Sequence, residues 1–264
     1  LRNITKHKFF SIINILGLSV GIACSLFVAL YVTDEFSYDH FNEKGDRIYR
    51  VTIDAKLGEQ ILQGTTTSGN LAGTLRTEVS AVENATNVLG WGSTSFLYED
   101  KRFIEKKAVV VDSSFLQVFT YPLIHGDPKT ALDEPNSVVL TEEMAIKYFG
   151  NTENAMNKLM VVDGDSISFK VTGVAENVPN NSHFKFTALL SRQSFPREFN
   201  QNWLSDNVQT YFVLQENATI EQVDEQIEVI IQKYVSPVLK KFTGKDVNEF
   251  RSSGAGQYNL RTGR

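Results

Sequence analysis

A single cysteine, Cys24, excludes a disulfide-stapled scaffold and any cysteine-rich zinc module. Histidine is scarce too. His7, His40, His125 and His183 lie far apart, and none has the His-x3-His or His-Glu neighbour of a metal site. There is no Gly-x4-Gly-Lys-Ser/Thr, so the chain does not bind ATP through such a loop. Gly-x-Gly-x-x-Gly is also missing: Gly254-Ala255-Gly256 lacks the third glycine and a preceding strand. Asp39-His40 and His125-Gly126-Asp127 resemble halves of catalytic pairs, but no serine in a nucleophile elbow accompanies them. These residues are read as structural or solvated, because catalysis needs a converging constellation. Six prolines and 17 glycines without a repeat exclude collagen-like and low-complexity chains.

The most informative absence is of charge. The 24 residues Phe9 to Val32 carry none. As a helix they reach about 36 Å, enough to cross a hydrocarbon core of about 30 Å with some tilt. Arg2, Lys6 and Lys8 precede the run, and Asp34, Glu35 and Asp39 follow it. The charge bias places residues 1–8 in the cytoplasm and everything from residue 33 outside. A cleaved signal peptide is disfavoured, because the run is long and Tyr31-Val32-Thr33-Asp34 is not a small-x-small cleavage site. A lipoprotein signal ending before Cys24 would leave Ser25 to Val32 as an apolar stub. The chain begins with Leu rather than Met and is read as trimmed.

Within the run, Gly17, Gly21, Ser25 and Ala29 recur every fourth residue, with Asn14 on nearly the same face. Small residues at this spacing let a second membrane helix approach closely, and Asn14 can hydrogen-bond across such a contact. No later run approaches about 18 apolar residues, so the packing partner is expected outside this chain. Membrane lipid is the remaining surrounding.

Beyond the flank the chain is acidic. Setting aside Arg2, Lys6 and Lys8 leaves 23 basic against 31 acidic residues, a poor match for phosphate-rich partners, so nucleic acid is excluded. The periodicity there mixes strands and helices without regular βαβ alternation, an α+β pattern. Strands are expected at 47–53, 87–91, 94–98, 102–106, 108–111, 136–140, 158–162, 166–174, 184–190 and 210–215. Asp163-Gly164-Asp165 is a hairpin turn signal. Helices are expected at 68–82 and 113–119. Another starts at Thr141, with Glu142 and Glu143 in its first turn and Gly150 as its stop. Thr219-Ile220-Glu221-Gln222 is a capping box opening a further helix, which Pro237 is expected to end.

Specific segments carry a resemblance. They include Lys8-Phe9-Phe10-Ser11-Ile12-Ile13-Asn14-Ile15-Leu16-Gly17-Leu18, Asp34-Glu35-Phe36-Ser37-Tyr38-Asp39-His40-Phe41 and Asp46-Arg47-Ile48-Tyr49-Arg50-Val51. Val111-Asp112-Ser113-Ser114-Phe115, Gly126-Asp127-Pro128 and Pro135-Asn136-Ser137-Val138-Val139-Leu140-Thr141-Glu142 follow in order. Tyr148-Phe149-Gly150, Val171-Thr172-Gly173-Val174 and Val178-Pro179 complete the set. In this order and spacing the chain resembles a MacB/FtsX-like ABC-transporter permease, from the first helix through the periplasmic core domain.

The resemblance implies a permease with four membrane helices per chain, working as a homodimer or paired permease in the plasma (inner) membrane. It implies a cytoplasmic ABC ATPase as partner, so that ATP is used by a separate subunit and this chain holds no cofactor. A periplasmic adaptor is among the implied partners. It implies a porter-like part at about 40–115 and 195–264, interrupted by a smaller inserted subdomain at about 116–194. Against that pattern the chain is expected to be truncated at its C-terminus. The implied function is coupling ATP hydrolysis to movement of the outer domain, for export or mechanotransmission. From the residues alone, a membrane-anchored extracytoplasmic sensor or binding domain stays as the alternative. Between Val32 and Ile48 there is no proline and only Gly45, so Asp34, Glu35, Phe36, Tyr38 and Phe41 are expected to continue the helix outward as a short stalk rather than to form a loose tether.

Overall fold

The computed structural model describes residues 8–57, 60–162, 167–195, 202–252 and 257–263. The flank 1–7 and the Asp163-Gly164-Asp165 turn lie outside the described residues. The chain divides into two units: residues 1–41 with 179–183, and residues 42–178 with 184–264.

The first unit is built on helix α1, Lys8–Phe36. An ordinary surface helix keeps one apolar stripe, whereas α1 is apolar all round and exposes large side chains on every face from Phe9 to Val32. That is the composition of a helix solvated by lipid, and Ile12–Phe36 is long and apolar enough to cross a membrane. The helix continues past the apolar run through Asp34, Glu35 and Phe36 but stops short of the stalk expected through Tyr38 and Phe41. Tyr38 and Phe41 lie beyond it, in turns.

The second unit is a mixed sheet with helices packed on it. Its elements are β1 (Ile48–Leu57), β2 (Gln60–Gly64), α2 (Leu71–Glu78), β3 (Val82–Tyr98), β4 (Lys101–Val111), α3 (Phe115–Val118), β5 (Leu123–His125) and β6 (Ser137–Thr141). Then come α4 (Glu142–Phe149), β7 (Leu159–Val162), β8 (Ile167–Ala175), β9 (Ala188–Ser191), β10 (Gln209–Leu214), α5 (Ile220–Ile230), α6 (Ser236–Thr243), α7 (Val247–Ser252) and β11 (Gln257–Gly263). The strands run in the order β11-β1-β10-β3-β4-β9-β6-β8-β5, with β2 on β1 and β7 bridging β3 and β8. Only β4–β9 and β6–β8 pair in parallel among the described strands.

Two apolar cores form. One gathers Leu71, Leu75, Phe212, Val223, Ile227 and Ile230 from α2, β10 and α5. The other gathers Phe96, Val110, Leu140, Tyr148, Met160 and Phe169 around α4. The β3–β4 hairpin spans both, with Ala85 in the first and Phe96 in the second.

Some elements differ from the sequence reading. The strands expected at 87–91 and 94–98 are one 17-residue strand, β3. Its register shifts on both sides of Gly92, whose φ of 80° needs a glycine, so the chain bends without leaving the sheet. The interruption in apolar alternation comes from these shifts. The segments 102–106 and 108–111 likewise merge into β4. Pro237 does not end the helix. A π-turn at Ile231–Val235 loosens the hydrogen-bond register, and Pro237 then falls in the first turn of α6, where its missing N–H costs nothing. Thr141 does cap α4, accepting from the Met144 amide at 3.4 Å, and Gly150 ends it at φ 84°. Gln222 reaches back to the Thr219 amide at 3.0 Å, as the capping box predicts.

Candidate functional site

The strongest local constructions lie at the outer end of α1 and where the sheet passes from one core to the other. After Phe36 the helix end is turned by the Ser37 hydroxyl, which donates to the Asp34 carbonyl at 2.7 Å. Asp39 then takes a left-handed conformation, φ 58°, which aspartate tolerates better than most residues. There a second segment of the same unit holds the chain. The Asp39 amide donates to the Asn181 carbonyl at 2.9 Å. The Asn181 side-chain amide donates to the Ser37 carbonyl at 2.8 Å, and the His183 amide donates to the Asp39 carboxylate at 2.8 Å.

The clasping segment is Pro179-Asn180-Asn181-Ser182-His183, rich in residues that favour turns, and Ser182 closes one by donating its amide to the Pro179 carbonyl at 3.2 Å. The chain thus passes between the two units at three places, after Phe41, before Pro179 and after His183. A helix end joined by one peptide bond has one route for displacement; this one has covalent continuity through three.

The second construction, a waist between the two cores, is buried. Asp112 directly follows the return strand β4, and Arg192 follows β9. Arg192 approaches the Asp112 carboxylate at 3.5 Å, and little of either side chain is exposed. The Asp112 carboxylate also accepts the Asn87 amide at 3.1 Å, while its own amide donates to the Asn87 carbonyl at 3.2 Å. Arg76 of α2 stands close, donating to the Ala85 carbonyl at 2.7 Å and the Ser114 hydroxyl at 2.8 Å. Burial pushes the Asp112 pKa up, against the pull of Arg192 and Arg76. Burial likewise pulls the Arg192 pKa down, against the field of Asp112. The network continues from Asn87 to the Gly69 carbonyl at 2.7 Å and to the Thr210 hydroxyl, which donates at 2.7 Å. A Cβ on Gly69 would meet the Arg192 guanidinium, so a larger residue there would displace the arginine side chain from its place beside Asp112.

The residues singled out for helix packing all lie on α1. Asn14, Gly17, Gly21, Ser25 and Ala29 are exposed, and nothing comes within 4 Å of a methyl group built on Gly17 or Gly21. The Ser25 hydroxyl donates to the Gly21 carbonyl at 2.9 Å, so its proton is used within the helix. Of the histidines, His125 shares a hydrogen bond with Thr152 at 3.1 Å, and His183 contributes its backbone to the clasp. No group of three or more His, Cys, Asp or Glu able to hold a metal occurs among the described residues. An open groove of about 370 Å³ is lined by Tyr98, Lys101, Tyr148, Phe149 and Lys158, among others; Lys101 there is tied to the Tyr148 carbonyl at 2.7 Å.

The clasp residue Asn181, the buried Arg192 and the more exposed Arg76 beside it were not identified from sequence. Asn181 sits in a turn-forming run that signals a loop, not a partner 144 residues away. Asp112 falls within a segment carrying the family resemblance, but its burial has no local signature.

A family model described as the MacB-like periplasmic core domain matches residues 11–230. No curated protein sequence matches the chain. Among solved structures, a domain of a protein described as a permease from Porphyromonas gingivalis superimposes with a TM-score of 0.69 at 24% identity, covering 84% of this chain and 92% of that one. The periplasmic region of MacB from Actinobacillus actinomycetemcomitans gives 0.47 at 16% identity, covering 75% and 85%. The extracellular domain of the noncanonic ABC-type transporter YknZ from Gram-positive bacteria gives 0.47 at 12%, covering 79% and 98%.

Proposed function

The chain belongs to the family of MacB-like periplasmic core domains, and from that premise we propose that it supplies the first helix and the outer domain of an ABC-transporter permease. In this reading a separate cytoplasmic ATPase hydrolyses ATP, and a tilt of α1 moves the outer domain, for export or mechanotransmission. The permease works in the plasma (inner) membrane, as a homodimer or paired permease. Asn14, Gly17, Gly21, Ser25 and Ala29 face a neighbouring membrane helix, and an adaptor on the periplasmic side belongs to the same scheme. Residues 40–115 and 195–264 act as the porter-like part, and 116–194 as the inserted subdomain.

The observation that carries the proposal is the construction of the helix end. The helix persists through Phe36, and the residues just beyond it are held by Asn181 and His183. A rigid rod with a held tip transmits displacement; a random coil dissipates it. About ten Gly/Ser residues inserted after Thr33 convert the link into a coil with an end-to-end distance of roughly 15–20 Å. In the complete permease with its ATPase, an environment-sensitive fluorophore on Lys240→Cys, in a Cys24→Ser background, reports movement of the outer domain. The expected result is normal insertion, retained ATP hydrolysis and loss of the ATP-dependent fluorescence change. A fluorescence change that survives the insertion makes the stalk a spacer and refutes the coupling.

A further inference from the structure

The three places where the chain passes between the two units lie far apart in sequence. On the side of the second unit, all three are fastened to one short segment, Phe119-Thr120-Tyr121-Pro122, which joins α3 to β5. After the first crossing, the chain meets Thr120 twice. The Thr120 amide donates to Asn42 Oδ1 at 2.9 Å, and the Glu43 amide donates to the Thr120 hydroxyl at 3.0 Å. Two bonds of opposite sense fix orientation as well as position. Just before the second crossing, the Glu176 amide donates to the Pro122 carbonyl at 2.9 Å. After the third, the Phe184 ring meets the Phe119 ring edge-on, with centroids 5.0 Å apart and planes at 74°. That is an arrangement the aromatic quadrupole favours. Phe119 and Tyr121 are buried, so close packing holds the segment itself in place.

We propose that residues 119–122 are the node through which displacement of α1 enters the outer domain, with Thr120 and Phe184 as its positioning residues. The inference rests on the reading that α1 moves that domain. From the node, connections run to both cores. Phe119 and Phe184 each stand edge-on to Tyr211 of β10, at 5.3 and 5.4 Å, and the next residue of that strand, Phe212, lies in the first core. Pro122 leads directly into β5, which pairs with Val174 and Ala175 of β8, and Val174 lies in the second core. A pull arriving by any crossing therefore reaches the same four residues, and from them both cores. Three separate anchors would each strain a different part of the sheet; a shared one displaces both cores together. The second crossing has one further hold. The exposed Asn177 side chain accepts the Glu143 amide at 2.9 Å and donates to the Glu142 carboxylate at 3.2 Å, both on α4. That hold serves one crossing, whereas the node serves all three.

The test uses the complete permease with its ATPase, carrying the fluorophore on Lys240→Cys in the Cys24→Ser background. Thr120→Val together with Phe184→Leu removes the acceptor for the Glu43 amide and the ring contact, with little change of volume at Thr120. The ATP-dependent fluorescence change is expected to fall at least about twofold, with ATP hydrolysis retained. Asn177→Ala, an exposed change that frees only the second crossing, is expected to leave the fluorescence change at its wild-type size. The proposal is overturned if the double variant keeps the full change while the Gly/Ser insertion after Thr33 abolishes it, or if Asn177→Ala loses as much. A change that survives the insertion instead refutes movement of the domain by α1. Hydrogen exchange on the full chain in nanodiscs then separates one node from three independent anchors without any movement. Phe184→Leu alone is expected to raise exchange at the Thr120 and Glu176 amides about fivefold, although neither amide donates to Phe184. The Glu143 amide, held by Asn177, is expected to keep its rate. Unchanged exchange at Thr120 and Glu176 overturns the node. An equal rise at all three amides means general loosening of the domain and overturns it as well.

Discussion

The helix-end clasp and the Asp112–Arg192 waist each join residues distant in sequence, 144 apart in one case and 80 in the other, yet they use opposite chemistry. The clasp consists largely of backbone amides, a carboxamide and one carboxylate, and its polar groups lie toward the surface. Each such hydrogen bond exchanges with water at a net cost of about 1 kcal/mol. The waist is a desolvated ion pair. Its formation gains little over an apolar replacement, but its rupture leaves a buried charge without compensation, at about 3–5 kcal/mol. Each clasp bond is therefore individually weak, and the helix end is held by several of them together, whereas the waist stays shut while the domain is folded.

The largest expected effect comes from breaking the waist. Arg192→Ala should destabilise the domain by about 3 kcal/mol and lower its melting temperature by roughly 6–12 °C. Circular dichroism or scanning calorimetry on the detergent-solubilised chain measures this. Combining Asp112→Asn with Arg192→Met should recover most of the loss, because no buried charge remains. A single variant with wild-type stability would remove the distinction between the two sites.

The clasp should respond locally. Asn181→Ala removes the donor to the Ser37 carbonyl and is expected to raise hydrogen exchange at the Asp39 and His183 amides about fivefold, matching about 1 kcal/mol. The global melting temperature should move by less than about 3 °C. Unchanged exchange at those two amides would mean that the bonds form independently and no clasp exists.

What the sequence revealed follows the same division between local and distant. The membrane helix was legible because absence of charge over a sufficient length is a local property, and its continuation past Val32 followed from the missing proline and glycine; its stop at Phe36, short of Tyr38 and Phe41, did not, since the turn there is held by Ser37 and the distant Asn181. The capping residues Thr141 and Thr219 were legible for the same reason. Gly92 was not: a glycine within a strand pattern does not say whether the strand ends or bends. Pro237 misled because the π-turn that accommodates it depends on packing along α5 and α6. Arg76, Arg192 and Asn181 were invisible as a group, since each partner comes from another part of the chain. The segment 102–106 reads locally as a hairpin strand; only the register of β7 against β3 and β8 places Leu97 and Val161 side by side.

A third ionic site separates the roles of charge and burial. Glu83 accepts from Lys44 at 2.7 Å and Arg47 at 2.6 Å, near the start of β1, with about a third of each side chain exposed. Hydrogen bonds from Lys44 and then Arg47 hold the Glu83 pKa below its ordinary value of 4.5. A carboxyl whose folded pKa is depressed contributes stability above its unfolded pKa and loses it as pH falls through the folded one. The window therefore lies below about pH 4.5. Glu83→Gln should cost only about 0.5–1 kcal/mol at pH 7, because solvent screens the pair, and the cost should shrink as salt is raised. Paired urea titrations of wild type and variant should converge as pH falls from about 5 to about 3. Arg192→Ala should show no comparable salt dependence, since its partner is shielded from solvent. If Glu83→Gln costs as much as Arg192→Ala, charge alone sets the strength of these joints, and burial at Asp112 does not distinguish the waist.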